Sequence, residues 1–313
     1  MSRPIALSFS EFEILEFLLR MGKKSTIELN QALPILSDSD LIDSVKSLID
    51  KNLVLLSGEK IVTLPAAKHA LEPYRVKRAV ILAAGRGLRM QPATDTAPKP
   101  MMKINDKRLI ETQLDALLAA GITDITIVRG YMGKAFDELL VEYPSINFID
   151  NPDWSTTEAI VSTLLAVDLL SDAYLIEGDL YISNPDVIRT YEYRSSYCGA
   201  PGLVNSDWYY CADNDGLIEK LTFGDSLSAC TNPHRFIGIM FWAPEHSNKI
   251  RTDLISATQN PENKHRFIES VPFDPRSNNY DIYARPLQAN EVIEVDTYKE
   301  IQNLRSQVKE LPN

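Results

Sequence analysis

The chain has 313 residues, 44% of them hydrophobic and 24% charged, with a net charge of −11. This is an ordinary globular composition, long enough for one large core or two domains, and its acidity argues against a general nucleic-acid binder. No apolar run reaches the roughly 18 residues of a membrane span, and no signal peptide is expected. Cys198, Cys211 and Cys230 are scattered and odd in number, and only four histidines are present. Neither a zinc site nor a disulfide framework is therefore expected, and a reducing cytoplasm fits best.

Residues 1–75 read as three helices and a hairpin. The first helix, 9–21, carries Phe12, Ile14, Leu15, Leu18 and Leu19 at helical spacing. A short second helix spans 25–31, and a third, 40–51, places Leu41, Ile42, Val45, Leu48 and Ile49 on one side. Segments 53–56 and 60–64 pair across Ser57-Gly58-Glu59. Three helices followed by a two-stranded wing resemble a winged helix-turn-helix, whose third helix reads DNA. Here that helix and its approach carry Asp38, Asp40, Asp43 and Asp50 against Lys46 and Lys51. Residues 1–75 hold 9 Lys+Arg against 10 Asp+Glu. Phosphates repel such a surface, so a docking or dimerisation module is favoured over DNA binding.

From Val76 the pattern changes to alternating strands and helices. Strands are expected at 79–84, 124–128, 147–149 and 173–176, with helices at 108–120, 134–142 and 157–170 between them. Further strands are expected at 199–205, 209–211, 217–221, 236–242, 280–285 and 292–295, and a last helix at 297–308. The alternation predicts an α/β fold, a Rossmann-like mixed and mostly parallel sheet with helices on both faces. The expected domains are thus 1–75 and 76–313.

The chemistry concentrates where the first of these strands ends. The segment Ala-Ala-Gly-Arg-Gly-Leu-Arg-Met-Gln-Pro places Gly85, Gly87, Arg89 and Pro92 in one loop, and Lys99 follows in Ala-Pro-Lys-Pro. Glycines let backbone N–H groups approach a phosphate, and Arg89 and Lys99 bring the charge that a triphosphate needs. Asp179, in Leu-Ile-Glu-Gly-Asp, falls at the C-terminal end of an apolar strand, where ligands of open α/β sheets gather. Asp296, in Ile-Glu-Val-Asp-Thr, ends another short apolar strand and reads equally as a helix cap. Two such carboxylates suit a hard cation such as Mg²⁺.

The loop Gly85-Arg86-Gly87-Leu88-Arg89 with Pro92 and Lys99, then Arg129-Gly130-Tyr131, Glu177-Gly178-Asp179, Asp207-Trp208 and Glu294-Val295-Asp296-Thr297, resembles the bacterial phosphocholine cytidylyltransferases. These are a branch of the sugar nucleotidyltransferases. The resemblance implies CTP as nucleotide, held by Leu82, Ala83, Ala84, Gly85, Gly87, Arg89, Lys99, Gly130 and Tyr131. It implies Arg89 and Lys99 as catalytic cations, and Mg²⁺ on Asp179 and Asp296. It also implies an acceptor site that includes Asp207 and Trp208, where a quaternary ammonium can meet an aromatic face.

Two departures alter that acceptor site. Phe267-Ile268-Glu269 stands where relatives carry Tyr-Trp-Asp, and Glu158-Ala159 where they often carry Asn-Asn. Carboxylates at Glu158 and Glu269 with one aromatic fewer suit a primary ammonium, which makes directed hydrogen bonds. Phosphocholine, phosphoethanolamine and 2-aminoethylphosphonate are all expected acceptors. Alternatives are a sugar-1-phosphate nucleotidyltransferase and a nucleotide-sensing transcriptional regulator. A homodimer is left open.

Overall fold

The computed structural model describes residues 5–201, 207–224, 230, 233–259 and 266–310. It divides into two units, Met1–Arg75 with Tyr191–Tyr193, and Val76–Thr190 with Arg194–Asn313.

The first unit runs α1 (Phe9–Met21), β1 (Lys24–Ser25), α2 (Thr26–Ala32), α3 (Asp38–Asp50), β2 (Val54–Ser57), β3 (Lys60–Thr63) and α4 (Pro65–Leu71). Ser8 and Ser25 open α1 and α2 as reciprocal capping boxes with Glu11 and Glu28, which satisfies backbone donors that a helix start leaves free. The apolar stripes meet in one core around Phe12, Ile14, Leu15, Leu29, Leu41 and Leu48. The three strands form a small sheet in the order β1-β3-β2. Helix α4 was not expected. Pro65 starts it at a position where a missing N–H costs nothing, and Ala67, Ala70 and Leu71 are buried. Tyr193 stacks on Tyr74 with ring centroids 5.2 Å apart, and its hydroxyl donates to the Leu7 carbonyl at 3.2 Å. Residues 191–193 therefore belong to the first unit, which amends the expected boundary.

The second unit runs β4 (Arg78–Ala83), β5 (Lys103–Ile104), β6 (Lys107–Arg108), α5 (Leu109–Ala119), β7 (Asp124–Arg129), β8 (Asn147–Asp150), α6 (Ala159–Leu165), β9 (Ala173–Glu177), β10 (Leu180–Ile182), β11 (Ser196–Pro201), β12 (Trp208–Ala212), β13 (Ile218–Phe223), β14 (His234–Trp242), α7 (Pro244–Gln259), β15 (Tyr283–Pro286), β16 (Val292–Glu294) and α8 (Tyr298–Glu310). Among the described residues nine strands share one sheet, ordered β13-β12-β14-β9-β4-β7-β8, with β11 on β14 and β15 on β11. The block β9-β4-β7-β8 is parallel throughout, and β14 runs antiparallel to β9. From Ala79 on, strand β4 is apolar because both faces are covered. Ala79, Ile81 and Ala83 pack with Ile110, Leu114 and Leu117 of α5. Val80 packs on the other side with Ile160 of α6 and Ile250 and Leu254 of α7.

Several elements differ from expectation. Residues 134–142 form a 3-10 stretch, Gly133–Val141, and the helix expected at 157–170 shortens to α6 and a 3-10 turn, Val167–Leu169. Helix α7 had no expected counterpart; its buried apolar side is little more than Ile250 and Leu254, one helical turn apart. Strand β11 starts at Ser196, and residues 202–205 of the strand expected at 199–205 lie outside the described residues. The expectation of no disulfide framework is also corrected at one pair, since Cys211 and Cys230 form a disulfide with Cα atoms 5.9 Å apart. No helix among the described residues is long and apolar enough to cross a membrane.

Candidate active site

Strand β4 delivers its loop at the C-terminal edge of the parallel block. The Tyr131 N–H donates to the Ala84 carbonyl at 2.9 Å, and the Tyr131 hydroxyl donates to the Thr94 carbonyl at 2.8 Å. Gly130 is pressed into this junction: a Cβ there would lie 2.5 Å from Trp154 Cβ and 2.8 Å from the Ala84 oxygen. The turns after β4 and β7 are thus clipped together, which puts Leu82, Ala83, Ala84 and Gly85 beside Gly130 and Tyr131. Gly87 sits in the left-handed region at φ +65, and a Cβ on it would come within 3.2 Å of Lys99 Cβ. The loop therefore folds onto Lys99.

The two distant aspartates reach the same place by a separate route. Strands β10 and β16 pair antiparallel, with Leu180 opposite Glu294, and the Val295 N–H donates to the Asp179 carbonyl at 3.1 Å. Val295 and Met90, chain neighbours of Asp296 and Arg89, share one apolar cluster with Ile301 and Leu304 of α8. The loop and the C-terminal acid are thus packed against each other from beneath.

At the centre lies Lys99, its side chain 9% exposed. Its Nζ donates to Asp179 Oδ2 at 2.8 Å and to Asp296 Oδ1 at 3.0 Å. Burial opposes its charge, but the two aspartates overcome that and hold its pKa above the ordinary lysine value. Arg89 Nη2 donates to the same Asp296 oxygen at 2.7 Å. Asp179, Asp296 and Glu294 each offer a carboxylate oxygen within 4.8 Å of the others. Asp179 Oδ1 is buried with no hydrogen-bond partner among the described residues. Three hard oxygen donors with one left unsatisfied form an acidic group that fits a divalent metal ion. Glu294 was not among the expected ligands, because an acid inside a short apolar strand does not reveal in sequence which face it takes.

Two further acids crowd the site. Burial, then Glu269, Asp179 and Glu294, raise the Glu177 carboxyl well above the usual range. Burial, with Asp207 adding to it, pushes Glu269 up to about 8. Burial followed by Asp179, Asp207 and Asp296 pushes Glu294 up to about 8 as well. Glu269 Oε2 is buried and has no partner among the described residues. Asp207 and Glu294 are bridged by Arg235, whose Nη1 lies 3.2 Å from each. Arg235 carries no motif signal in sequence and was not foreseen.

The expected acceptor residues are only partly gathered. Asp207 and Glu269 join the acidic group through these electrostatic contacts. Trp208 sits edge-on to Phe223 at 5.3 Å and to Phe267 at 6.2 Å, its buried Nε1 without a partner among the described residues. Glu158 precedes α6, is exposed, and makes no side-chain cap bond.

The raised Glu269 carboxyl has a measurable consequence. A group that holds its proton more tightly when folded stabilises the fold below its unfolded pKa, and that stability is lost as pH rises through the folded value. Wild-type melting temperature is expected to fall between about pH 5 and pH 9. Glu269→Gln, which has no proton to lose, flattens that slope and melts above wild type at pH 9. Parallel melting curves across the range would refute the assignment.

Residues 78–186 match the nucleotidyl transferase family. The protein is a nucleotidyltransferase. Over 230 residues it is 28% identical to a 2-aminoethylphosphonate cytidylyltransferase of Lancefieldella rimae, covering 71% of this chain and 89% of that one. It is 26% identical over 233 residues to a choline-phosphate cytidylyltransferase of Streptococcus pneumoniae, covering 74% and 98%. The solved structure of CTP:phosphocholine cytidylyltransferase from S. pneumoniae superposes with a TM-score of 0.68 at 27% identity, covering 75% of this nucleotidyltransferase and 99% of that chain.

Proposed function

We propose that this nucleotidyltransferase transfers CMP from CTP to a small amino-alcohol phosphate or the corresponding phosphonate, with release of pyrophosphate. The observation that carries the reading is Lys99, buried and bonded to both Asp179 and Asp296 beside the glycine loop. An acceptor oxygen attacks the α-phosphorus, and the P–O bond to the departing pyrophosphate breaks. The nucleophile is already an anion, so the demand falls on positioning and charge neutralisation. The backbone of 82–85 and Gly87 faces the triphosphate, and Gly130 and Tyr131 border the base. Arg89 and Lys99 hold the phosphate oxygens and offset charge on the leaving group. Asp179 and Asp296, with Glu294, are the residues that would hold Mg²⁺, which supplies further neutralisation of the triphosphate when bound. Asp207 and Glu269 meet the acceptor's amine, with the Trp208 ring beside it. The need for CTP and Mg²⁺ supports a cytoplasmic site of action.

The test is pyrophosphate release with each NTP against phosphocholine, phosphoethanolamine, 2-aminoethylphosphonate and a set of sugar 1-phosphates. Turnover is expected with CTP and an amine-bearing acceptor. Turnover confined to sugar phosphates, or to another NTP, overturns the reading.

The first unit we read as a winged-helix module for docking, without DNA contact. Its α3 begins with Asp38 and Asp40 and has no basic residue in its last turn, and Lys46 is paired to Asp43 at 3.2 Å. Selective gel shifts at low salt would reverse this.

A further inference from the structure

We infer that Arg235 holds the acceptor's own phosphoryl or phosphonyl group. This rests on the cytidylyl-transfer reading and names how the same site takes its second anion. The acceptor must bring a dianion to within bonding distance of a triphosphate, past the acids Asp179, Asp207, Glu294 and Asp296. Charges of one sign at such separations repel strongly where water is thin, so the approach requires a fixed cation. Among the described residues, ion pairs to these acids come from Arg89, Lys99 and Arg235. The first two converge on Asp296 from the glycine-loop side and serve the nucleotide. Arg235 comes from β14 on the other side.

Its placement suits the task. Strand β14 holds Arg235 between neighbours, opposite Tyr209 of β12 and Ala200 of β11, so the side chain, 20% exposed, projects from a fixed backbone. Nη1 is shared between Asp207 and Glu294 at 3.2 Å each, longer than the roughly 2.7–2.9 Å of a strong charge-assisted bond. Neither acid saturates the guanidinium, which has five donors in a fork shaped for phosphate oxygens. The two ends of the acceptor define the rest. Asp207 lies on the amine side and Glu294 belongs to the carboxylate group around the candidate metal position. A molecule with an ammonium at one end and a phosphoryl at the other, a short carbon linker between them, therefore presents its phosphoryl to Arg235. The guanidinium stays protonated throughout: an acceptor oxygen supplies the electron pair for the new bond to the α-phosphorus, and pyrophosphate leaves with the pair of the broken one.

The experiment is steady-state kinetics on Arg235→Gln and Arg235→Lys with both substrates varied, circular dichroism melts checking the fold. Loss of a fork of charge-assisted bonds is expected to raise the acceptor KM roughly 10- to 100-fold. The factor is the same for every acceptor that turns over, since all share the phosphoryl group, and the CTP KM stays within about twofold. Lysine, which keeps the charge but not the fork, recovers part of the loss. An acceptor KM that does not move, or a CTP KM that rises equally, overturns the role. Should Arg235→Gln fail to fold, Arg235→Lys is judged by the same criterion. If the wild-type enzyme turns over no amine-bearing acceptor at all, the cytidylyl reading falls and takes this role with it. Turnover with an unmoved acceptor KM removes only the role of Arg235.

Discussion

Asp179→Asn is expected to lower turnover by about 1,000-fold or more while the fold is retained, with only a small fall in melting temperature because Asp296 still pairs Lys99. The side chain keeps its shape and loses only its charge. The backbone bond that joins β10 to β16 runs through the Asp179 carbonyl, which accepts from Val295 at 3.1 Å, so the variant leaves the architecture in place. What changes is the electrostatics at the centre. Oδ2 accepts from Lys99 at 2.8 Å, and Oδ1 is buried and unpartnered among the described residues. A neutral amide offers one oxygen where the carboxylate offers two, and it no longer draws a divalent cation or fixes the lysine. Turnover can be followed by pyrophosphate release, and loss of charge at the site by Mn²⁺ titration followed calorimetrically. A variant that stays fully active removes Asp179 from the chemistry.

Lys99→Met has the second largest expected effect, a fall of about 100- to 1,000-fold in kcat/KM. It differs from the first in that stability moves more, since two acids lose their partner. Lys99 is the one buried member of its group, and it neutralises Asp179 and Asp296 together. Removing one partner of a buried ion pair leaves the others uncompensated, at a cost of about 3–5 kcal/mol in deep sites and less where, as here, both acids are a quarter exposed. The melting temperature in chelator is therefore expected to fall by several degrees. Added Mg²⁺ recovers more of it in the variant than in wild type, because the carboxylates freed of their ammonium attract the ion more strongly. Equal stabilisation of both proteins by Mg²⁺ would show that Lys99 and the cation do not compete for the same oxygens.

The two predictions draw on different depths of legibility. That Arg89 and Lys99 share one folded loop was readable because glycines and prolines at close spacing leave a loop few conformations. Asp179 was readable because it follows an apolar strand, whose end in a parallel sheet is a fixed address. Asp296 was not decidable between cap and ligand, since both need an acid just before a helix. Its bonds to Lys99 and Arg89 show it facing the site. Helix α7 escaped because its buried stripe is too sparse to set a period. The disulfide escaped because two cysteines 19 residues apart in a chain with an odd number of them do not state that they meet.

Local rules of chain geometry thus sufficed for the α/β alternation, the phosphate-type loop and the acid at the end of the central strand, because each depends on residues close together in the chain. Tertiary structure alone decided that Glu294 completes a carboxylate group, that Arg235 bridges it to Asp207, and that Glu269 is buried. Those outcomes depend on strand order, on register and on which face a side chain takes. These are settled only when the whole sheet packs, since a slip of one residue would turn each acid from the site to the opposite face.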